Sequence, residues 1–395
     1  MIYKDYQDLK LSALGLGCMR FPVVDGDNDK IDQDAVQEMV DYAMEQGVNY
    51  YDTAWGYHGG NSELAIGKAL AKHPRESFYL ASKFPGYDVT NMDKVEEIFE
   101  KQLEKCGVEY FDFYLFHNVC EKNINEYLDP KFGIYEYLLK QKKNGRIRHL
   151  GFSTHGSLET MTRFLEAYGK DMEFCQIQLN YLDWTLQDAK GKYELLTERG
   201  IPVWVMEPVR GGKLAKLSDE NEEKLKTLRP KETIPAWGFC FLQGLPNVKM
   251  ILSGMSNLEQ MRDNVKTFSE SRPLTDRESE RILEIAEGMK DSIPCTACRY
   301  CCEGCPKGLD IPKLIGIFNE VRFMPTTISA MRVEFLPEDK KPSACISCGK
   351  CKKICPQNID IPQAMQDLTK ALEKIPSWTE VCRQREAAQK KLENK

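Results

Sequence analysis

Between about residue 11 and residue 290 the chain alternates short apolar runs with longer stretches in which apolar residues recur every three or four positions. Short runs bounded by polar residues read as buried strands and the longer stretches as amphipathic helices, and their regular alternation is the mark of βα units around a parallel sheet. The apolar runs are VNYYDTA (48–54), FYLASKF (78–84), FDFYLFH (111–117), HLGFSTH (149–155), FCQIQLN (174–180), IPVWVMEP (201–208) and VKMILSG (248–254), and a weaker eighth is placed near Lys266 to Phe268. Between them, Asp32 to Gln46 follows the helical rule, with Val36, Met39, Val40, Ala43 and Met44 on one face and Gly47 where a helix should stop. Similar helices fit residues 93–106, 157–167 and 275–289. Eight such units match a (β/α)8 TIM barrel better than an open doubly wound sheet. No GxGxxG follows a first strand, which disfavours the dinucleotide fold that carries that fingerprint.

The ends of the runs carry the candidate chemistry. Asp52, Lys83, His117, Ser153 and Glu207 terminate five of them, and in a barrel the C-terminal strand ends form the active face, so these side chains are expected to converge. Reduction of a carbonyl by hydride needs a proton donor for the developing alkoxide, and a tyrosine with a depressed pKa serves if a cation lies beside it. Tyr57 is the candidate acid and Lys83 the cation. Asp52 would keep Lys83 charged and oriented, and His117 would hydrogen-bond the substrate oxygen. On the run at 174–180, Gln176, Gln178 and Asn180 alternate on one face, and polar groups pointing into a barrel require a ligand or a network.

After Met289 the periodicity lapses at KDSIP and a different segment begins, dividing the chain into a barrel domain, 1–290, and a small second domain, 291–395. Nine of the fifteen cysteines lie between Cys295 and Cys355, in two blocks of the form CxxCxxCxxxCP. The blocks are followed by matching sequences, CP-KG-LDIP (305–312) and CP-QN-IDIP (355–362), an internal duplication. Three cysteines at this spacing wrap one face of an iron–sulfur cubane, and in the bacterial ferredoxin pattern the fourth ligand comes from the other block. One [4Fe-4S] cluster is then expected on Cys295, Cys298, Cys301 and Cys355, the other on Cys345, Cys348, Cys351 and Cys305. Cys302 fits the first block's spacing as well; Cys301 is preferred because it matches Cys351. Structural zinc sites use pairs of CxxC instead. The charged tail from Trp378 reads as a helix with a solvated face or a cap.

Composition narrows the partners. The net charge is −6, with Lys and Arg scattered along the chain, so nothing points to nucleic acid. No basic-plus-apolar leader and no run of about 18 apolar residues appears, so neither export nor membrane spanning is expected, and the chain reads as cytoplasmic.

The segment DTAWGYHGGNSE (52–63), followed by SK at 82–83 and LFH at 115–117, resembles the DTAxxY…NE signature of the aldo-keto reductases. The likeness runs from LSALGLGCMRF, beginning at Leu11, to Met289, with a segment similar to a two-cluster ferredoxin behind it. The resemblance implies NADP or NAD lying across the barrel mouth, with Met19 nearby, Ser153 and Gln176 at the carboxamide, and Gly254, Ser256, Asn257, Gln260 and Asn264 around the adenosine phosphate. It also implies a small carbonyl substrate. Where the family places an aromatic against the nicotinamide, this chain has Met206; the usual Asn after Ser153 is Thr154. The two basic side chains that many members aim at the 2′-phosphate fall at Gly254 and Gln260, leaving Arg262 to compensate.

Two readings of function follow. In the first the chain is an oxidoreductase reducing an aldehyde or ketone with NAD(P)H, its clusters a relay or a scaffold. In the second it is an iron–sulfur electron-transfer protein, partnered by another redox protein, with the barrel as a docking or sensing module. A hydride moves two electrons together whereas a cubane passes one, and two clusters could store the pair; a flavin would ordinarily mediate, and no flavin motif is legible.

Overall fold

The computed structural model describes residues 1–290, 293, 295, 299–355, 357 and 359–393. Packing divides the chain into two units: Met1–Leu283 together with Arg385–Lys395, and Glu284–Gln384. The end of the tail, assigned from sequence to the second domain, thus groups with the barrel.

In the first unit a hairpin of β1 (Tyr3–Tyr6) and β2 (Leu9–Ser12) precedes eight parallel strands: β3 (Leu14–Gly17), β4 (Tyr50–Asp52), β5 (Tyr79–Phe84), β6 (Phe111–Val119), β7 (Ile147–Thr154), β8 (Cys175–Gln178), β9 (Val203–Met206) and β10 (Val248–Ser253). They close in the order β10-β3-β4-β5-β6-β7-β8-β9. Tyr6 and Leu11 of the hairpin are buried with Tyr50, Ala81, Phe113, Phe174, Trp204 and Met250 from six barrel strands or their approaches, so the interior is a packed core and not a pore.

Each of the seven runs named from the sequence carries a barrel strand, but the eighth strand lies elsewhere. Lys266 and Thr267 end the helix Leu258–Thr267, which Phe268 terminates. The missing strand is β3, in the LGLG of the N-terminal segment, paired with β10 through Ile251 and Leu14 and with β4 through Leu16 and Tyr51. Its two glycines and lack of β-branched residues hide it from a propensity argument. Gly15 has a packing reason: a Cβ there would lie 2.7 Å from Leu252 Cδ2, 2.8 Å from Met250 Sδ and 3.2 Å from Tyr50 Cδ1.

The helices begin where capping chemistry dictates. The Asp32 carboxylate accepts from the Ala35 N–H at 3.0 Å to start Gln33–Glu45, and Ser157 does the same for Leu158–Tyr168 through Thr160. In the second unit the duplicated sequence makes duplicated structure. Asp310 and Asp360 cap the helices Ile311–Phe323 and Ile361–Leu372, each with proline in its first turn. Leu309, Ile311, Leu314, Ile315, Ile361, Met365 and Leu368 give this unit an apolar core of its own. Among the described residues no helix is long and apolar enough to cross a membrane.

Gly15→Val should cost about 1–3 kcal/mol through overpacking of the barrel interior, read as a lower denaturant midpoint with an unchanged slope; equal stability would show that the interior has room for the added side chain.

Candidate active site and metal centre

The C-terminal ends of β4, β5 and β6 bring the four expected side chains together. Lys83 is fully buried. Its ammonium donates to Asp52 Oδ1 at 2.6 Å and to the Thr53 carbonyl at 2.7 Å. Tyr57 begins the turn Tyr57–Gly60 just beyond β4, with Lys83 Nζ 5.0 Å from its ring centroid. His117 meets the Tyr57 ring edge-on at 6.0 Å, and Tyr87 at 5.0 Å.

Electrostatics assigns charge states. Burial alone would strip the proton from Lys83, but Asp52 and Tyr57 hold its pKa above the ordinary lysine value. Burial, with Lys83 adding repulsion, drives His117 well below the usual histidine range, so its ring is neutral at physiological pH. The Tyr57 pKa is raised: burial outweighs the attraction of Lys83 for the phenolate. The expectation of a depressed tyrosine is therefore reversed, because this cation sits in the same dry pocket as the acid and is already shared with Asp52.

A second layer of buried polar groups holds this arrangement. Ser82, next to Lys83, donates to Glu63 Oε1 at 2.7 Å, and Gln102 Nε2 donates to the same oxygen at 2.7 Å and to the Lys83 carbonyl at 3.0 Å. Tyr114 donates to Gln102 Oε1 at 2.5 Å, and Lys105 pairs with the other Glu63 oxygen at 2.8 Å. Glu63 is the last residue of the DTA…NSE stretch, so the motif supplies the brace as well as the site. The loop carrying Tyr57 is fixed by His58, whose Nε2 accepts from the Phe21 N–H at 3.1 Å while Nδ1 donates to the Asn28 carbonyl at 2.8 Å. Burial lowers the His58 pKa, consistent with this neutral ring. Gln102, His58 and Tyr87 were not singled out from the sequence; Gln102 had one signal, a lone amide amid the apolar positions of its helix.

The residues expected around a nicotinamide nucleotide fall along the other half of the mouth. Ser153 and Gln176 are paired neighbours of β7 and β8. Ser153 Oγ accepts from the Asn118 N–H at 2.8 Å, whereas the buried Gln176 Oε1 and His117 Nδ1 have no hydrogen-bond partner. An unsatisfied buried acceptor at a strand end suits the amide of a bound carboxamide. Gln178 and Asn180 are instead satisfied internally, both donating to Asp183 Oδ2, at 2.8 and 2.7 Å. Met206 ends β9 half-buried and Met19 is exposed. Asn118 and Glu207, just past His117 and Met206, have φ of 54° and 58°, strained backbone at the mouth.

Beyond β10, Asn257 caps Leu258–Thr267 by accepting from the Gln260 N–H at 2.9 Å, while Gln260 Oε1 accepts from the Ser256 N–H at 2.8 Å. Asn264 donates to Ser253 Oγ at 2.9 Å. Asn257 and Gln260 build the N-terminus of this helix, a place suited to a phosphate. Arg262 points elsewhere, its guanidinium 5.8 Å from the Tyr42 ring centroid. A cation that sequence reading passed over, Arg20, lies beside Gly254, where a Cβ would meet its Cγ and Cδ at 3.2 Å, and 3.9 Å from Glu207.

In the second unit one cavity is lined by Cys345, Cys348 and Cys351 together with Cys305 of the other block, among Leu309, Ile311 and Met365. Cys301 is buried, and burial, with Cys302 and Cys295 adding charge repulsion, pushes its thiol up to about 12. Helix Tyr300–Glu303 packs against Lys350–Ile354, so the two cysteine loops face each other. Cys355 follows that helix and packs on the same core. Cys298 lies outside the described residues. Among the described residues no three His, Cys, Asp or Glu side chains close on a single ion.

Residues 13–238 match the aldo/keto reductase family, and residues 294–359 match a 4Fe-4S dicluster domain. The NADH-specific methylglyoxal reductase of Escherichia coli is 25% identical over 332 residues, 72% of this chain and 97% of that protein. L-galactose dehydrogenase of Arabidopsis thaliana is 26% identical over 307 residues, 70% of this chain and 92% of its own. The fold matches the holo form of aldo-keto reductase AKR11C1 from Bacillus halodurans with a TM-score of 0.59 at 24% identity, over 72% of this chain and 96% of that one.

Proposed function

The chain belongs to the aldo/keto reductase family, and from that premise we propose that it reduces an aldehyde or ketone to the alcohol with NADH or NADPH. The observation that carries the reading is the convergence of Asp52, Tyr57, Lys83 and His117 at three strand ends and one adjoining loop. When bound, the nicotinamide supplies the hydride. Tyr57, protonated throughout the neutral range, donates its proton to the oxygen of the carbonyl, and Lys83 stabilises the phenolate left behind. His117, uncharged, orients that oxygen through a ring nitrogen. Asp52 keeps Lys83 charged. Gln176 and Ser153 hold the carboxamide, with Met206 and Met19 against the ring. Gly254, Ser256, Asn257, Gln260 and Asn264 surround the adenosine phosphate.

The second unit holds two [4Fe-4S] clusters, one on Cys295, Cys298, Cys301 and Cys355, the other on Cys345, Cys348, Cys351 and Cys305. The cavity that joins Cys305 to the later block supports the exchange of fourth ligands. When bound, the clusters supply one-electron chemistry. Cys348 is exposed beside Ile346, a surface through which a redox protein can exchange electrons. A scaffold role is the second reading, and the apolar core already present in the unit weighs against it.

Tyr57→Phe should lower kcat by about 10²- to 10⁴-fold with cofactor binding retained, as loss of a general acid requires. In the unaltered enzyme the raised Tyr57 stays protonated and the lowered His117 stays neutral, so kcat for reduction should show no inflection between pH 6.5 and 10; a fall across that interval would assign the acid to another group. Because Gly254 and Gln260 stand where cations are expected, Arg262 is turned to Tyr42, and Arg20 beside Gly254 is 3.9 Å from the Glu207 carboxylate, the preference for NADPH over NADH in kcat/KM should stay below about 10²-fold. A preference for NADH, as in the Escherichia coli relative's name, agrees with this. Anaerobically prepared protein should carry about eight irons per chain, and Cys305→Ala should halve that content by releasing the cluster of Cys345, Cys348 and Cys351. Stoichiometric zinc would contradict the cluster assignment.

A further inference from the structure

Among the described residues the two most exposed large apolar side chains are Ile346 and Ile354, at 58% and 52%, and both belong to the second cysteine block. Single apolar side chains on a surface need no explanation, but a group of them at one place marks an interaction site. The geometry makes them a group. Ile346 lines the cavity ringed by Cys305, Cys345, Cys348 and Cys351, and the charged residues among the described lining are Lys307 and Lys350. Lys350 opens the short helix Lys350–Ile354, where Lys353 and Ile354, three and four positions on, share its face. Lys307, Lys350 and Lys353 are all exposed. Among the described residues their ammonium groups have no ion-pair partner, whereas Lys352 and Lys341 pair with Asp360 and Glu338. Cys348 is the one exposed cysteine among those described.

The internal duplication shows that cluster binding does not call for these residues. The first block carries its cysteines at the same spacing with Thr296, Tyr300, Glu303 and Gly304 at the positions of Ile346, Lys350, Lys353 and Ile354. The difference is one of surface chemistry: the second block has gained two apolar side chains and two cations. From Lys340 to Lys353 the chain holds five lysines and no acid, in a protein whose net charge is −6. A partner with an acidic face is drawn to this place against the sign of the whole, which fixes where and in what orientation it lands.

We infer that this face of the second cysteine block is the docking site of a small, acidic one-electron carrier protein, which delivers electrons to the cluster of Cys345, Cys348, Cys351 and Cys305. The inference rests on the two-cluster reading above and adds to it the partner's chemistry and the point of entry. Ile346 and Ile354 supply an apolar centre, and Lys307, Lys350 and Lys353 the charged rim that steers the carrier. One electron crosses in each encounter: the carrier is oxidised by one equivalent, the cluster is reduced by one, and no bond is made or broken.

The probe is purified flavodoxin, an acidic FMN protein that passes electrons singly, against full-length protein whose iron content has been measured. Surface plasmon resonance should show binding whose association rate falls as salt is raised from about 20 to 200 mM. Combining Lys307→Gln, Lys350→Gln and Lys353→Gln should slow association by about 10-fold or more at unchanged iron content. Combining Ile346→Ser and Ile354→Ser should instead speed dissociation and leave the salt dependence in place. Flavodoxin with amidated carboxylates, and the basic carrier cytochrome c, should not bind; these two and the salt series test the unaltered protein even if a variant fails to fold. Reduced flavodoxin, mixed anaerobically with the oxidised protein, should reduce the clusters at a rate that falls with association in the lysine variant. Flavodoxin binding that is absent, or an association rate in the lysine variant within about 3-fold of the unaltered protein's, overturns the inference. So do lysine changes that shift the cluster's reduction potential without touching binding, which would mean that the charges serve the cluster alone. Binding of phosphatidylglycerol vesicles through the same lysines, without flavodoxin binding, would assign the face to a membrane surface and likewise overturn it. Protein that holds no iron after anaerobic preparation removes the cluster reading and the inference with it; iron-loaded protein that ignores flavodoxin removes the inference alone.

Discussion

A single buried ammonium governs the upper half of the barrel. Lys83 has no access to solvent, and taking a charge of that size out of water costs several kcal/mol after relaxation. The cost is met by two short contacts, to Asp52 at 2.6 Å and to the Thr53 carbonyl at 2.7 Å. Removing one partner of such a pair typically costs about 3–5 kcal/mol, since a naked charge is left behind. Chemistry and stability are therefore tied at this point: β4 must end at Asp52 and β5 must present Lys83 at the same height. The Glu63, Ser82, Gln102 and Tyr114 network keeps β5 there.

The same constraint explains the charge states around it. A pocket dry enough to need Asp52 beside Lys83 also raises the Tyr57 pKa and keeps His117 neutral. Tyr57 is thus protonated at neutral pH, and the His117 ring does not compete with Lys83 as a second cation. In the second unit Cys305, Cys345, Cys348 and Cys351 ring a cavity backed by an apolar core, with Cys348 at the surface.

Much of this could be read in the chain. Long apolar runs ending in Asp, Lys, His and Ser located seven barrel strands and the side chains at their ends, because a strand buried on both faces has to be apolar until it reaches the mouth. The strand Leu14–Gly17 escaped because close approach to Leu252, Met250 and Tyr50 calls for glycine, the residue that argues against a strand. The direction of the Tyr57 shift escaped because sequence names the neighbouring cation and not the depth of burial. Gln178 and Asn180 carried the same alternation as Gln176, yet their partner, Asp183, lies beyond the strand and could not be told from a ligand. Nothing local in the tail from Trp378, legible as a solvated face or a cap, announces that Gln389 donates to the Trp55 carbonyl at 2.8 Å.

The central claim is that hydride passes directly from the nicotinamide to the carbonyl carbon within the barrel. It is tested by reducing an aldehyde anaerobically with cofactor fully deuterated at the nicotinamide C4 and measuring the isotope in the alcohol by mass spectrometry. Direct transfer predicts one deuterium on the carbinol carbon of every product molecule, with or without clusters. Product carrying only solvent hydrogen at that carbon would mean that the electrons had travelled singly, and the account of the barrel given above would be wrong.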